Sequence, residues 1–181
     1  MKNEVRIIGG QWKRSKLPVA DKPGLRPTPD RVRETLFNWL GADLSGWRVL
    51  DAFAGSGALG FEAASRGAAV VLLIEADAAL VRSLAGVKAR LKADTVQALE
   101  ADALAWLKRC APQRFELVLL DPPFDADLFD TALAAAAPAV ALGGFIYLEA
   151  PREVDAPPGF ACHRHLHAGT VHAHLFVREQ S

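Results

Sequence analysis

Trp47-Arg48-Val49-Leu50-Asp51-Ala52-Phe53-Ala54-Gly55-Ser56-Gly57-Ala58-Leu59-Gly60 decides how the rest of the chain is read. Trp47 to Leu50, apolar except for Arg48, reads as a short buried strand ending at an acid, Asp51. A glycine-rich turn then leads into a stretch of helical character. A buried strand, a glycine turn and a helix form the repeating unit of a parallel α/β sheet. Glycines in such a turn reach unusual dihedrals and let a ligand approach the main chain. Gly55, Gly57 and Gly60 fit the dinucleotide pattern G-x-G-x-x-G, and Glu75 lies near the distance expected of a ribose-binding acid. A nicotinamide site usually places its first glycine directly after the strand, whereas here Ala52, Phe53 and Ala54 separate Asp51 from Gly55. A glycine-rich turn with no ligand is the competing reading.

Working outward, the same pattern repeats. Ala69 to Ile74 predicts a strand ending at Glu75, and Thr95 to Leu99 a weaker one before Glu100 and Asp102. Phe115 to Leu120 predicts a strand ending at Asp121, and Gly144 to Leu148 one ending at Glu149. Leu59–Arg66, Ala78–Lys92, Ala103–Arg109 and Leu128–Ala137 read as the helices between them. Strands alternating with helices argue for a parallel sheet covered on both faces. In open sheets of this kind the ligand lies outside the carboxyl ends of the strands. Asp51, Glu75, Asp102 and Asp121 would therefore rim one crevice, although acids there also serve as helix caps.

The ends of the chain add two further units. Val5 to Ile8 predicts a short strand before a turn at Gly9-Gly10. Thr28 is expected as the cap and Pro29 as the first residue of a helix whose apolar stripe is Val32, Leu36, Trp39 and Leu40. Phe160 to Val177 alternates with period two about a turn at Ala168-Gly169, so an antiparallel hairpin closes the sheet. Ala132 to Leu148 carries no charge. Pro138 and Gly143-Gly144 interrupt it, so helix, turn and buried strand fit better than a membrane span.

The chain has 181 residues and a net charge of zero, which hides an asymmetry. Residues 1–40 hold nine basic side chains and four acids, or +5, leaving −5 for the remainder. A basic arm on a neutral protein points to a polyanionic partner, or else to a solvated terminus. Only two cysteines are present and no apolar leader follows Met1, which fits a reducing cytosol.

Asp121-Pro122-Pro123-Phe124 follows the fourth predicted strand. Two successive prolines stiffen the backbone and remove two N–H donors. What remains is a rigid set of acceptors, the Asp121 carboxylate and the neighbouring carbonyls, suited to an amine held by its N–H groups. Phe124 adds a face on which a planar base can stack. All five histidines, His163, His165, His167, His172 and His174, fall in the tail and with period two would share one face. That face is read as a polar outer surface and not as a metal site; the chemistry needs no metal.

Two of these motifs together resemble a known family. Asp51-x-Phe53-x-Gly55-Ser56-Gly57 is similar to the first motif of class I S-adenosylmethionine-dependent methyltransferases, and Asp121-Pro122-Pro123-Phe124 to the motif of their amino-methylating members. Arg6-Ile7-Ile8-Gly9-Gly10-x-Trp12-Lys13 and Arg26-Pro27-Thr28-x-x-Arg31-Val32-Arg33-Glu34-Thr35-Leu36-Phe37-Asn38 closely resemble the RsmD-type 16S rRNA guanine-N2 methyltransferases. The resemblance runs from about residue 5 to residue 152.

It implies a Rossmann-like class I methyltransferase fold, with a seven-stranded, mostly parallel sheet, a C-terminal antiparallel hairpin and a small N-terminal extension. Residues 1–40 would be an RNA-contacting extension and residues 41–181 the methyltransferase domain. The implied cofactor is S-adenosylmethionine, held by Asp51, Phe53, Ala54, Gly55, Ser56, Gly57, Glu75, Asp102 and Ala103. Asp121, Pro122, Pro123 and Phe124 would be catalytic, and Arg6, Lys13, Arg14, Arg26, Thr28 and Arg31 would meet RNA. The implied substrate is N2 of guanine 966 in 16S rRNA, within a small ribosomal subunit or assembly intermediate, and the enzyme a cytoplasmic monomer. An adenine N6 in DNA, a glutamine amide in protein, a NAD-dependent oxidoreductase and a cofactor-free RNA-binding module are the alternatives.

Overall fold

The computed structural model describes residues 3–23, 25 and 27–180. Its central element is a seven-stranded sheet. The strands are β3 (Arg48–Asp51), β4 (Val70–Glu75), β5 (Val96–Glu100), β6 (Phe115–Leu120), β7 (Val140–Ala150), β8 (Phe160–Ala168) and β9 (Val171–Arg178). Their spatial order is β5-β4-β3-β6-β7-β9-β8. The five strands from β3 to β7 run parallel, and β9 is antiparallel to both its neighbours. The chain moves one way from β3 to β5, then returns to the other side of β3 with β6. That reversal opens a crevice between the carboxyl ends of β3 and β6, where Asp51 and Asp121 stand.

Both faces of the sheet are covered, which is why its strands read as continuous apolar runs. Val49, Val71, Leu73, Leu117, Leu119 and Tyr147 point to one face. There they meet α1 (Asp30–Leu40), α2 (Ala58–Ser65) and α3 (Ala78–Leu91). Leu50, Leu72, Ile74, Val118, Leu120 and Ile146 point to the other, against α4 (Ala103–Arg109) and α5 (Phe129–Ala136). Strand alternation thus sorts one core into two layers. The uncharged stretch from Ala132 is the end of α5, a 3₁₀ turn at Ala137–Ala139 and β7. Among the described residues no helix is long and apolar enough to cross a membrane.

The N-terminal extension packs into the first layer. β1 (Glu4–Arg6) pairs antiparallel with β2 (Lys16–Pro18), and Val5, Ile7, Leu17 and Val19 join the apolar cluster beneath α2. Helix α2 is buried along its whole length, caught between sheet and extension. Its Gly60 is required there, because a Cβ would lie 2.2 Å from Leu73 Cδ2.

Two expectations fail. Thr28 does not cap α1: Pro29 holds the cap position with extended ψ, no side chain completes the cap, and the Thr28 hydroxyl turns inward to Glu149. Nor do the five histidines form an outer face. His174 is buried, accepting the Val154 N–H at Nε2 (3.0 Å) and facing the Leu148 carbonyl through Nδ1 (3.1 Å). A bulge between Cys162 and Arg164 puts His163 out of alternation and against Phe145. His165, His167 and His172 do stack at the hairpin surface.

Candidate active site

The crevice at the reversal point is a cavity of about 280 Å³. Strand ends supply most of its chemistry. Asp51 closes β3, and Ala52, Phe53, Ala54, Gly55 and Ser56 carry the chain over the cavity toward α2. Glu75 closes β4, while Asp102 and Ala103 follow β5. Asp121, Pro122, Pro123 and Phe124 follow β6 and form the opposite wall. Residues chosen from two separate motifs, and from acids at four strand ends, therefore share one enclosure.

Gly57 differs from its neighbours in the turn. It caps α2 in the left-handed region at φ 82°, and a Cβ would lie 2.6 Å from the Phe61 ring. It shapes the turn and packs on the core; it does not line the cavity.

The acids play different local parts. Asp51 is fully buried and accepts the Gly60 N–H at 3.0 Å, tying the strand end to the first turn of α2. Desolvation pushes its carboxyl up to about 7, against the Gly60 hydrogen bond and with help from the charges of Glu75 and Glu149. Glu75 accepts the Gly55 N–H at 3.1 Å through Oε1 and the Asp77 N–H at 2.8 Å through Oε2, so it holds the glycine turn in place. Asp102 caps α4 by accepting the Ala105 N–H at 2.9 Å. Helix capping and cavity lining are combined in this residue. Phe124 sits edge-on to Phe129 with ring centres 5.9 Å apart.

The extension supplies a third wall through Val19, Leu25, Pro27 and Thr28. Lys22 pairs with Asp77 at 2.5 Å, fastening this segment to the start of α3. Beneath the wall lies a buried polar group that sequence reasoning missed. The hydroxyls of Thr28 and Tyr147 both donate to Glu149 Oε1, at 2.8 and 2.7 Å. The only sequence signal is that the strand expected over residues 144–148, like the parallel strands expected before it, leads into an acid.

No Lys or Arg lines the cavity among the described residues, while Asp51, Glu75, Asp102 and Asp121 do. An anionic enclosure of this kind suits a ligand with positive charge and hydroxyl or amino donors. It does not suit a pyrophosphate.

The basic residues expected to meet RNA are placed elsewhere. Arg6, Lys13, Arg14 and Arg31 are exposed and none lines the cavity. Arg26 lies outside the described residues. Thr28 is buried in the cavity wall, so it belongs to the site and not to an outer surface. Part of the arm's charge is internally paired, since Lys16 meets Glu4 and the buried Arg33 meets Asp30 and Glu62.

Comparison with known proteins agrees with this geometry. A family model described as conserved hypothetical protein 95 matches residues 5–177. The chain is 42% identical to the ribosomal RNA small subunit methyltransferase D of Escherichia coli strain K12, over 97% of this chain and 91% of that protein. A solved structure described as "Putative methyltransferase yhhF from Escherichia coli" superposes with a TM-score of 0.86 at 42% identity, covering 99% of this chain and 100% of that one. The 16S rRNA N2 G1207 methyltransferase (RsmC) of T. thermophilus, solved with AdoMet and guanosine, shares the fold at a TM-score of 0.63 and 23% identity. That match covers 99% of this chain and 45% of that one.

Proposed function

This chain belongs to the conserved hypothetical protein 95 family, that of the ribosomal RNA small subunit methyltransferase D enzymes, and from that premise we propose that it methylates the exocyclic N2 of a guanine in 16S rRNA, guanine 966, during small-subunit maturation. It is an S-adenosylmethionine-dependent rRNA methyltransferase. The observation that carries the reading is the cavity itself: an acid-rimmed glycine turn faces an Asp-Pro-Pro-Phe wall, with no basic side chain among its described lining residues.

The residues present fit that cofactor, whose sulfonium supplies an activated methyl group. Phe53, Ala54, Gly55 and Ser56 would hold its methionine end, with Gly57 setting the turn. Asp51 would lend negative charge beneath the turn. Glu75, already fixed by two backbone donors, has lone pairs left for ribose hydroxyls. Asp102 and Ala103 would take the adenine.

On the opposite wall, Asp121 and the Pro122 carbonyl would accept the two N–H groups of the target amine. A guanine amine is a poor nucleophile because its lone pair is delocalised into the ring. Two acceptors draw the nitrogen toward sp³ geometry and stabilise the positive charge that develops on it. Pro123 keeps the wall rigid, and Phe124 takes over stacking lost when the base leaves its helix. Alignment is the protein's main contribution. Arg6, Lys13, Arg14 and Arg31 would contact phosphates, which sets affinity more than sequence choice. Arg26 belongs to the same proposal.

The proposed setting is a cytoplasmic monomer acting on a partly assembled small subunit, with residues 1–40 as the RNA-contacting part and 41–181 as the catalytic domain. The test is transfer from radiolabelled S-adenosylmethionine to small-subunit particles from cells lacking the gene, with Asp121→Ala as control. Label in 16S rRNA as N2-methylguanine, lost in the variant, supports the reading. Cofactor binding with no label in RNA overturns the substrate, and equal labelling of protein-free rRNA at the same base overturns the need for a particle.

A further inference from the structure

Thr28 stands where one hydroxyl proton has two carboxylates to choose between. Its Oγ1 lies 2.8 Å from Glu149 Oε1 and 3.5 Å from Asp121 Oδ2. A hydroxyl donates one proton and accepts through two lone pairs. The short contact takes the proton, because charge-assisted O–H···O bonds are strongest well below 3 Å. Glu149 is fixed in turn by the Tyr147 hydroxyl, 2.7 Å from the same oxygen, and both residues are buried beneath the cavity. Thr28 lines the cavity beside Asp121.

We propose that Thr28 Oγ1 accepts, together with Asp121 in a three-centre hydrogen bond, one of the two N–H groups of the target amine, and that Glu149 is the positioning residue that makes it an acceptor. The inference rests on the amine-methylating reading of the cavity. With its proton committed to Glu149, Thr28 has only lone pairs to offer the substrate, next to the Asp121 carboxylate. If Glu149 did not hold that proton, Thr28 would donate it to Asp121 and weaken the principal acceptor. One buried carboxylate therefore protects the acceptor strength of two groups it does not share a strand with. An amine poised for methylation gains from every acceptor that polarises its N–H bonds as charge develops on nitrogen.

The test uses the full-length protein in the particle assay, with kcat and KM measured for wild type, Thr28→Ser, Thr28→Val, Glu149→Gln and Thr28→Val/Glu149→Gln. S-adenosylmethionine binding by calorimetry reports on the fold of each variant. Expected are near wild-type turnover for Thr28→Ser and a fall in kcat of about tenfold for Thr28→Val, the effect of one transition-state hydrogen bond. KM values should move little. Glu149→Gln should lose at least as much as Thr28→Val, and the double variant should return to the Thr28→Val level, because Glu149 acts through the Thr28 hydroxyl. Wild-type kcat in Thr28→Val overturns the inference, as do losses that multiply in the double variant. If Glu149→Gln no longer binds cofactor, Tyr147→Phe takes its place, with the same non-additivity required. An inactive wild type that binds cofactor overturns the amine-methylating reading first, and this inference falls with it.

Discussion

Arg33 and Glu62, both fully buried, meet at 3.3 Å and join α1 of the extension to α2 behind the glycine turn. Glu62 also accepts the backbone N–H groups of Ile8 and Gly9, at 2.8 and 3.0 Å, and pairs with Arg66 at 3.2 Å. One carboxylate thus anchors three segments. Glu62→Ala leaves the buried Arg33 guanidinium with Asp30 alone and two backbone donors without their acceptor, and a loss of about 3–5 kcal/mol is expected. Urea unfolding measures it, and a loss below about 1 kcal/mol would show that the anchor is redundant.

Asp51 is expected to make cofactor binding depend on pH. Its carboxyl in the folded protein is raised from 3.8 to about 7 by burial. A positive ligand above it favours the ionised form. Binding should therefore release a proton and tighten as pH rises through 7, by about tenfold from pH 6 to pH 8. The same shift makes the free protein lose stability as pH climbs from about 4 to about 7, since the folded state keeps a proton that the unfolded state has given up. Calorimetry across this range on wild type and Asp51→Asn checks both; a variant with the wild-type slope would place the titration on another group.

Asp121→Asn keeps the shape of the wall but replaces one carboxylate oxygen with a donor. Turnover should drop by about 10²–10³, the usual effect of removing a transition-state partner, while cofactor affinity stays near wild type. Phe124→Ala should instead weaken RNA-dependent steps by about 1–3 kcal/mol of stacking. Quenched-flow transfer rates alongside cofactor titrations separate the two. An Asp121→Asn enzyme with full turnover would leave the wall without a chemical role.

His174 is kept neutral. Burial lowers its pKa below the usual histidine value, the Leu148 carbonyl opposes that shift, and the nearby His165 and His172 add to it. A folded pKa below the unfolded one gives stability that is present above about 6.5 and is lost as pH falls through the folded value. His174→Phe should therefore flatten the decline of stability between pH 7 and pH 5, whatever it costs at pH 8. Chemical denaturation at three pH values decides it, and parallel curves for variant and wild type would refute it.

Arg31 and Lys13 are exposed and lie outside the cavity. Arg31→Ala and Lys13→Ala should each weaken RNA binding across sequences and lower the slope of log K against log salt by about one. Turnover at saturating RNA should hold. An unchanged salt slope would remove that residue from the interface.

Much of the architecture was legible in the chain itself. A strand buried on both faces must be apolar throughout, so β4, β6 and the end of β7 announce themselves locally. The glycine turn and the two prolines are also local signals, since they set backbone dihedrals within a few residues. Acids at successive strand ends predicted one crevice because a parallel sheet brings those ends to one side.

What only the tertiary structure decided depends on partners remote in sequence. Thr28 reads as a helix cap until Glu149, 121 residues away, takes its proton. Arg33 looks like part of a solvated arm until Glu62 buries it. His174 belongs to a polar stripe until Val154 and Leu148 close around it, and a single bulge in β8 puts His163 out of register with its neighbours. A side chain's type limits what it can bond, but its partner is chosen by which distant strands and helices the apolar core brings within hydrogen-bonding distance of it.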